Sequence, residues 1–260
     1  MHRFLLSLAV FLLPALLRAD VVINEIMFHP SSEKTAEEFI ELHNNGATPA
    51  NLDGWRITSG VSFTFPNVTL AAGGYLVVAA DGAAFRAKYP AVTTVVAGWT
   101  GRLSNSADSI VLRDDRGVKI DQVDYADDGD WAGRERDDLD HQHRGWRWRS
   151  QADGYGKSLE LINAAFDNSY GQNWGASTKV DGTPGAANSI AAPDIAPVVT
   201  DVRHFPLVPN PAQGVNVNAT VIDDRAAEVA VVVRFRQAGS VAWNTAPMFD
   251  DGAHNDGIAG

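Results

Sequence analysis

The 260-residue chain contains no cysteine, which removes disulfide cross-links, thiolate metal sites and cysteine nucleophiles together. Basic residues are also short: 21 Lys and Arg stand against 32 Asp and Glu, a formal net charge of −11. Such a chain lacks the basic footprint of a phosphate-driven nucleic-acid binder, and an anionic membrane surface attracts it little. No His-Glu-x-x-His, Gly-x-Ser-x-Gly or phosphate-binding loop occurs, so the motifs of zinc proteases, serine hydrolases and nucleotide enzymes are missing. No catalytic residue is assigned, and the chain reads as non-enzymatic. With 45% hydrophobic and 20% charged residues, the composition is that of a globular protein and excludes a disordered or collagen-like one.

The longest apolar run lies at the N-terminus. His2 and Arg3 precede Phe4 to Leu17, interrupted by Ser7 and Pro14, and Leu17-Arg18-Ala19 offers a small residue before a cut at Asp20. This is the pattern of a secretory signal peptide over residues 1–19, too short for a comfortable membrane span of ~20 residues. The expectation is a secreted, periplasmic or cell-surface protein with no transmembrane span after cleavage.

Beyond residue 19 the chain alternates short apolar segments with turn signals. Val21 to Phe28, Phe39 to Leu42, Ser62 to Phe65, Tyr75 to Ala80, Ser109 to Leu112, Val118 to Tyr125 and Ser158 to Ile162 are separated by Asn44-Asn45-Gly46, Asp53-Gly54, Gly73-Gly74, Asp81-Gly82 and Asp114 to Gly117. Turn chemistry at this density predicts an all-β, antiparallel sandwich or barrel, with helix limited to a turn or two at Thr35 to Glu38 and Ala83 to Lys88. Parity places Ile40 and Leu42 on one face of their strand and Phe39 and Glu41 on the other. Val118 and Ile120 are out of phase with Val123 and Tyr125, and a bulge near Asp121-Gln122 would return both pairs to the core. Trp55, after Asp53-Gly54, is placed to fill the sandwich. Glu25 and Glu41 lie inside otherwise apolar strands. They read either as outward, solvated carboxylates, or as carboxylates bonded to neighbouring backbone or to a metal.

The strand pattern stops near Gly182, and a Pro/Ala-rich stretch follows. The expected organisation is a signal peptide at 1–19, a sandwich at 20–189, a linker at 190–198 and a second β-domain at 199–260. Gly214 to Ile222 and Glu228 to Arg236 supply its strands. An immunoglobulin-type sandwich takes ~100 residues, so this second, sandwich-like domain is expected to be partial.

An ordered series of landmarks runs through the first domain. It begins with Val22-Ile23-Asn24-Glu25-Ile26-Met27, Glu38 to Asn44 and Leu52-Asp53-Gly54-Trp55. It continues through Leu70 to Leu76, Leu103-Ser104-Asn105, Ser109 to Leu112 and Asp121 to Tyr125. Gly156 to Glu160, Asn173-Trp174 and Gly182-Thr183-Pro184-Gly185 complete it. Together these resemble a lamin-tail domain. The resemblance implies an immunoglobulin-like antiparallel β-sandwich of the bacterial, secreted branch of that family, with no catalytic residues to carry over. In bacteria such domains look like accessory modules of large exported proteins, sometimes beside nucleases, phosphoesterases or CotH-like kinase domains. Met248 to Gly257 resembles a module found between a lamin-tail and a CotH-like domain. Ala132 to Arg149 departs from the family pattern as an insertion.

That insertion carries the first candidate site. In Arg144-Gly145-Trp146-Arg147-Trp148-Arg149 the alternation gives a strand an aromatic face, Trp146 and Trp148, and a cationic face, Arg147 and Arg149. Such a strand would stack on sugars, with a polysaccharide preferred to nucleic acid because the chain is acidic. The competing reading packs the tryptophans over the sandwich edge with arginine stacked on them. His141 and His143, one residue apart, share a side of an extended segment and suit a transition metal, although no further ligands are named. Asp250, Asp251, Asn255 and Asp256 crowd oxygen-bearing side chains onto one loop, as calcium requires, without EF-hand spacing. The expected partners are a protein or polysaccharide of the cell envelope.

Overall fold

Strand β1, Val21–Met27, sets the organisation of the molecule. In the computed structural model, which describes residues 20–141, 143–223, 225, 229–237 and 239–251 and omits the side chains at 139, 140, 143 and 144, β1 lies inside a six-stranded sheet. In chain order follow β2 (Phe39–Asn44), β3 (Ala50–Asn51), β4 (Arg56–Ile57), β5 (Val61–Thr64), β6 (Thr69–Leu70) and β7 (Tyr75–Ala79). Helix α1 (Gly82–Lys88) precedes β8 (Val95–Ala97), β9 (Thr100–Gly101), β10 (Ala107–Arg113) and β11 (Lys119–Ala126). Then come β12 (Gly133–Asp140), β13 (His143–Arg149), β14 (Leu159–Leu161) and β15 (Trp174–Ala176). Last are β16 (Val198–Phe205), β17 (Asn216–Ile222), β18 (Val232–Phe235) and β19 (Asn244–Pro247).

The six-stranded sheet runs β15-β14-β1-β2-β7-β8, antiparallel except for the parallel pair β7 and β8. A five-stranded sheet, β11-β10-β4-β5-β9, faces it. Ile23, Ile26, Phe28, Ile40 and Leu42 from the first meet Ile57, Phe63, Ile110, Leu112, Val123 and Tyr125 from the second in one buried core. Side chains of this size each contribute about 1.5–3 kcal/mol on leaving water. The architecture is an immunoglobulin-like β-sandwich, as expected. Trp55 does not fill it: the ring is half-buried and packs against the core from its margin.

Two bulges decide which residues enter that core. Strict alternation from Val21 and Ile23 would send Glu25 inward. A register break between Ile23 and Glu25 instead turns Ile26 and Phe28 into the core and Glu25 and Met27 to the outer face of the sheet. In β11 the break follows Leu112, which pairs with Asp121, while Arg113 pairs with Lys119, so the extra residue is Ile120. That lies one position before the expected bulge. Val123 and Tyr125 are buried and Ile120 packs against the core, but Val118, expected inside, is 54% exposed.

The outer face of the six-stranded sheet is covered twice. Met27, Phe39, Val77 and Ala79 form a second core with Phe85 of α1, whose N-terminus is capped by Asp81 accepting from the N–H groups of Ala83 and Ala84 at 2.8 Å each. Beside it, the segment after β15 runs across the sheet as a strap. Lys88 pairs with Asp181 at 2.7 Å and Tyr89 donates to the Asp181 carbonyl at 2.8 Å. Asn188 donates to the carbonyls of Asn24 and Leu161 at 2.9 and 2.8 Å and accepts from the Asn24 amide at 2.8 Å. The strap continues into the region expected as a linker: Ile190 donates to Glu160 at 3.2 Å, Ala192 donates to the Ile162 carbonyl at 2.9 Å, and Ile195 and Val198 are buried.

Removing Asn188 would take a donor from two buried carbonyls and the acceptor from one N–H of the Asn24 amide, which keeps its bond to Glu41, each loss costing about 1–3 kcal/mol. Asn188→Ala is therefore expected to lower unfolding stability by roughly 3 kcal/mol, measured by urea titration with tryptophan fluorescence. A loss within 0.5 kcal/mol, the ordinary range for surface changes, would contradict this account of the strap.

Residues from Val198 onward form two separate hairpins, β16 with β17 and β18 with β19. The expected alternation holds in β17, where Val217, Ala219 and Val221 are half-buried and the residues between are exposed. It fails at Phe235, which is exposed, as are Val232 and Trp243.

Candidate functional site

The sequence segment that departs from the lamin-tail pattern folds as a hairpin. β12 and β13 pair only with each other, in the register Gly133↔Arg149, Arg134↔Trp148, Glu135↔Arg147 and Arg136↔Trp146. His141 in the turn takes φ 45°, the left-handed region that a reversing chain needs. At ~3.3 Å per residue the arms extend roughly 25 Å. Paired residues of an antiparallel ladder share a face. Trp146, Trp148, Arg134 and Arg136 thus stand together on one side, and Glu135, Arg147 and Arg149 on the other.

The two faces differ in chemistry. On the first, the guanidinium carbons of Arg134 and Arg136 lie 4.2 and 4.0 Å from the Trp146 ring centroid, at cation–π distance. Trp146 and Trp148 remain 48% and 45% exposed, so neither is packed away over the sandwich edge. On the second face Glu135 pairs with Arg149 at 3.1 Å and Arg147 at 3.8 Å, and Arg147 also approaches Asp137 at 3.9 Å. Arg147 and Arg149 lie across the ribbon from the tryptophans, on the separate face that their alternation predicts, and there they meet acidic partners. The cations on the aromatic face come from β12. Sequence reading missed Arg134 and Arg136, although Arg134-Glu135-Arg136 repeats the two-residue period of Trp146-Arg147-Trp148; only the pairing register reveals that both sets face the same way.

The root of the hairpin is anchored. Trp131 lies against the buried Trp174 with ring centroids 5.9 Å apart, and Gly171 sits so close beneath Trp131 that an added Cβ would come within 2.9 Å of the ring. A groove of about 370 Å³ opens here between Trp131, Trp174, Glu135 and Arg149.

A second cleft, about 470 Å³, is lined by His29, Glu33, Glu38, Arg102, Ser104 and Asp108. His29 contacts Asp153 through Nδ1 at 2.5 Å and Glu33 through Nε2 at 3.0 Å. Burial works against its charged form, but the bonds to these acids outweigh that and raise its pKa. Glu38 is pushed up to about 7 by burial, against a hydrogen bond from the Leu103 N–H at 3.0 Å.

The densest titratable group lies under the strap. Glu25 pairs with Glu41 on one side and Glu160 on the other, so three carboxylates stand in a row across adjacent strands, all fully buried. Glu25 Oε1 accepts from Ser158 Oγ at 2.5 Å and the Thr183 N–H at 2.8 Å. Glu160 accepts from Thr183 Oγ1 and Ser189 Oγ at 2.8 Å each. Glu41 accepts from the Asn24 amide at 3.0 Å and the Gly185 N–H at 2.5 Å. Burial pushes Glu25 up to about 7; burial and the neighbouring Glu25 charge push Glu41 well above the usual carboxylate range. Of the two readings of Glu25 and Glu41, the solvated one is thus corrected, and the one in which they bond backbone groups holds. They face outward from the sandwich, but the strap seals them, and its Gly182-Thr183-Pro184-Gly185 landmark supplies the Thr183 and Gly185 donors. Glu37 takes no part in this row and instead holds Lys88 at 2.9 Å.

His141 is exposed in the hairpin turn, while the side chain of His143 lies outside the described set. Of the expected calcium loop, Asp250 and Asp251 follow β19, whereas Asn255 and Asp256 fall outside the described residues. Among the described residues no three His, Asp or Glu side chains form a metal-holding group, and no helix is long and apolar enough to cross a membrane.

No curated protein matches the chain. The family model described as Lamin Tail Domain matches residues 16–127, a span that contains most of both sheets and ends before the hairpin begins. Through β1 to β11, this chain is similar to a lamin tail domain, an immunoglobulin-like β-sandwich, and the aromatic hairpin is an addition to it.

Proposed function

We propose that the chain is a non-enzymatic module, exported from its cell, that meets a partner macromolecule of the cell envelope through the Trp146/Trp148 face of the β12–β13 hairpin. One observation carries this reading: two tryptophans stay about half exposed on a ribbon that the sandwich does not need for closure. Tryptophan and arginine are the residues that dominate binding energy at macromolecular interfaces. The anchored root at Trp131 and Trp174 holds the ribbon in place, which lowers the ordering cost of binding. Export is supported by the apolar run from Phe4 to Leu17 and the basic residues before it. A polysaccharide suits the face better than a nucleic acid, because a chain of charge −11 repels a densely charged polyanion at long range.

The test is affinity electrophoresis of the purified protein through gels containing a panel of neutral and acidic polysaccharides. Retardation by at least one is expected. Trp146→Ala with Trp148→Ala should abolish it without moving the urea midpoint, because exposed residues contribute within about 0.5 kcal/mol. Retardation that survives both substitutions removes the hairpin from the proposal, and turnover of a substrate abolished by a point mutation removes the non-enzymatic reading.

The resemblance of Met248 to Gly257 to a module beside CotH-like domains favours a second reading, in which this module is the N-terminal accessory part of a bacterial exported kinase or hydrolase. The reading frame after Gly260 tests it: a catalytic domain downstream supports it, and a stop codon there ends it.

A further inference from the structure

The cations on the aromatic face define the ligand more narrowly than the tryptophans do. Arg134 and Arg136 reach Trp146 from the opposite strand and lie 4.2 and 4.0 Å from its ring centroid. Among the described residues they meet this ring and no carboxylate, whereas Arg147 and Arg149 on the reverse face share Glu135. The reverse face is electrically balanced by Glu135 and Asp137. On the aromatic face, by contrast, Arg134 and Arg136 make no salt bridge among the described residues, on a protein whose overall charge is −11.

Resting on the reading of the hairpin as the contact surface, we infer that this face binds a carboxylated polysaccharide, a polymer of uronic acid residues. The chemistry matches on three counts. A pyranose ring has an apolar C–H face that stacks on the exposed Trp148 plane. A guanidinium presents a planar fork of N–H donors that fits a carboxylate two bonds at a time. A guanidinium already stacked on an indole is pre-oriented, so little side-chain freedom remains to be lost on binding. Successive side chains on one face of a strand are about 7 Å apart, so the Trp148 platform has the Trp146 ring and its stacked Arg134 and Arg136 about one sugar length away.

Nucleic acid is the competing polyanion. Double-stranded DNA carries one charge per ~1.7 Å and is held by many phosphate contacts, which two arginines on an acidic protein do not supply. A uronate polymer carries one carboxylate per sugar and demands far less positive charge per unit length.

The experiment uses the full chain with three probes: polygalacturonate, the same polymer with its carboxylates methyl-esterified, and single-stranded oligothymidylate. Binding is followed by isothermal titration and affinity electrophoresis at low and physiological salt. Polygalacturonate is expected to bind at least tenfold more tightly than the esterified polymer, and to outcompete the oligonucleotide. Arg134→Gln with Arg136→Gln should remove that tenfold preference, while Arg147→Gln with Arg149→Gln should change binding less than twofold. Equal affinity for esterified and free polymers overturns the carboxylate inference but leaves the hairpin reading intact, provided Trp146→Ala and Trp148→Ala still abolish binding. Tighter binding of the oligonucleotide overturns it in favour of nucleic acid. Loss of preference in the Arg147/Arg149 variant but not in the Arg134/Arg136 variant overturns the assignment of the face. Unchanged thermal unfolding of each variant confirms that the comparisons report binding and not folding.

Discussion

Gly182→Ala is expected to destabilise the sandwich by about 3–5 kcal/mol, more than any change on the hairpin, because it combines backbone strain with overpacking. Gly182 holds φ +77°, and a Cβ there would sit 2.1 Å from Glu25 Oε1 and 2.5 Å from Ser158 Oγ. Neither atom can move aside freely, since the two are bonded to each other at 2.5 Å. Displacing the strap would also withdraw the Thr183 N–H from Glu25 and Thr183 Oγ1 from Glu160, leaving buried carboxylates short of donors. Gly73 provides the control. Its φ is +68° with nothing within 4 Å of the added carbon, so Gly73→Ala measures the backbone term alone, about 1 kcal/mol. Urea unfolding of both variants checks the argument; equal losses would show that the strap does not grip the carboxylates tightly.

The urea midpoint is expected to fall as pH rises from about 5 to 8, the reverse of the usual acid lability of proteins. Glu25 and Glu38 are pushed from 4.5 to about 7 in the folded protein by burial, and Glu41 is raised further by burial and the Glu25 charge. A carboxyl whose folded pKa lies above its unfolded one binds its proton more tightly when folded. Its contribution is fully present below the unfolded value and is lost as pH climbs through the folded one. For Glu25 the difference corresponds to about 3 kcal/mol. His29, also raised, pulls the same way. Glu37 and Asp114, which are lowered by partners, lose their contribution only below the carboxylate range, outside this window.

Glu25→Gln isolates the carboxylate row. The amide oxygen can keep the bonds from Ser158 and Thr183, and the amide nitrogen faces Thr183 Oγ1, 3.5 Å from Glu25 Oε2. That hydroxyl already donates to Glu160, so its lone pairs are available. The groups facing Glu25 are Glu41, Glu160, Ser158, Thr183 and, through Glu41, Asn24 and Gly185; none is a cation. The variant is expected to match the parent near pH 5 and to exceed it at pH 8 by about 3 kcal/mol. A parent whose midpoint rises over this interval, or a variant weaker than the parent at pH 8, would contradict the assignment.

These two expectations rest on a part of the molecule that sequence reading saw only in pieces. Ile40, Leu42, Ile110 and Leu112 were placed in the core by parity, and they are there, because a strand's two-residue period survives wherever the ladder is regular. Glu25 reaches the outward position expected of it only through a local feature that parity does not show: the bulge after Ile23 shifts the phase by one residue. Parity set Glu41 on the outer face, but for a non-local reason neither its burial nor that of Glu160 could be read from it. An acid at an outward position is solvated unless something covers it, and here the cover comes from residues 182–190, far along the chain. Likewise Trp146 and Trp148 were legible as an alternating pair, but the arginines beside them belong to the other arm of the hairpin, and register, not composition, brings them together.

The amino-acid sequence by itself determined the all-β class, the turn positions and the alternation that separates core from surface, since these depend on residues two to four positions apart. Tertiary structure alone decided that the acids of β1, β2 and β14 share one sealed row, and which face of the hairpin keeps its charge. Both depend on which strands become neighbours and in what register. That choice follows from bulges and burial summed over the whole chain, and no short stretch of residues contains it.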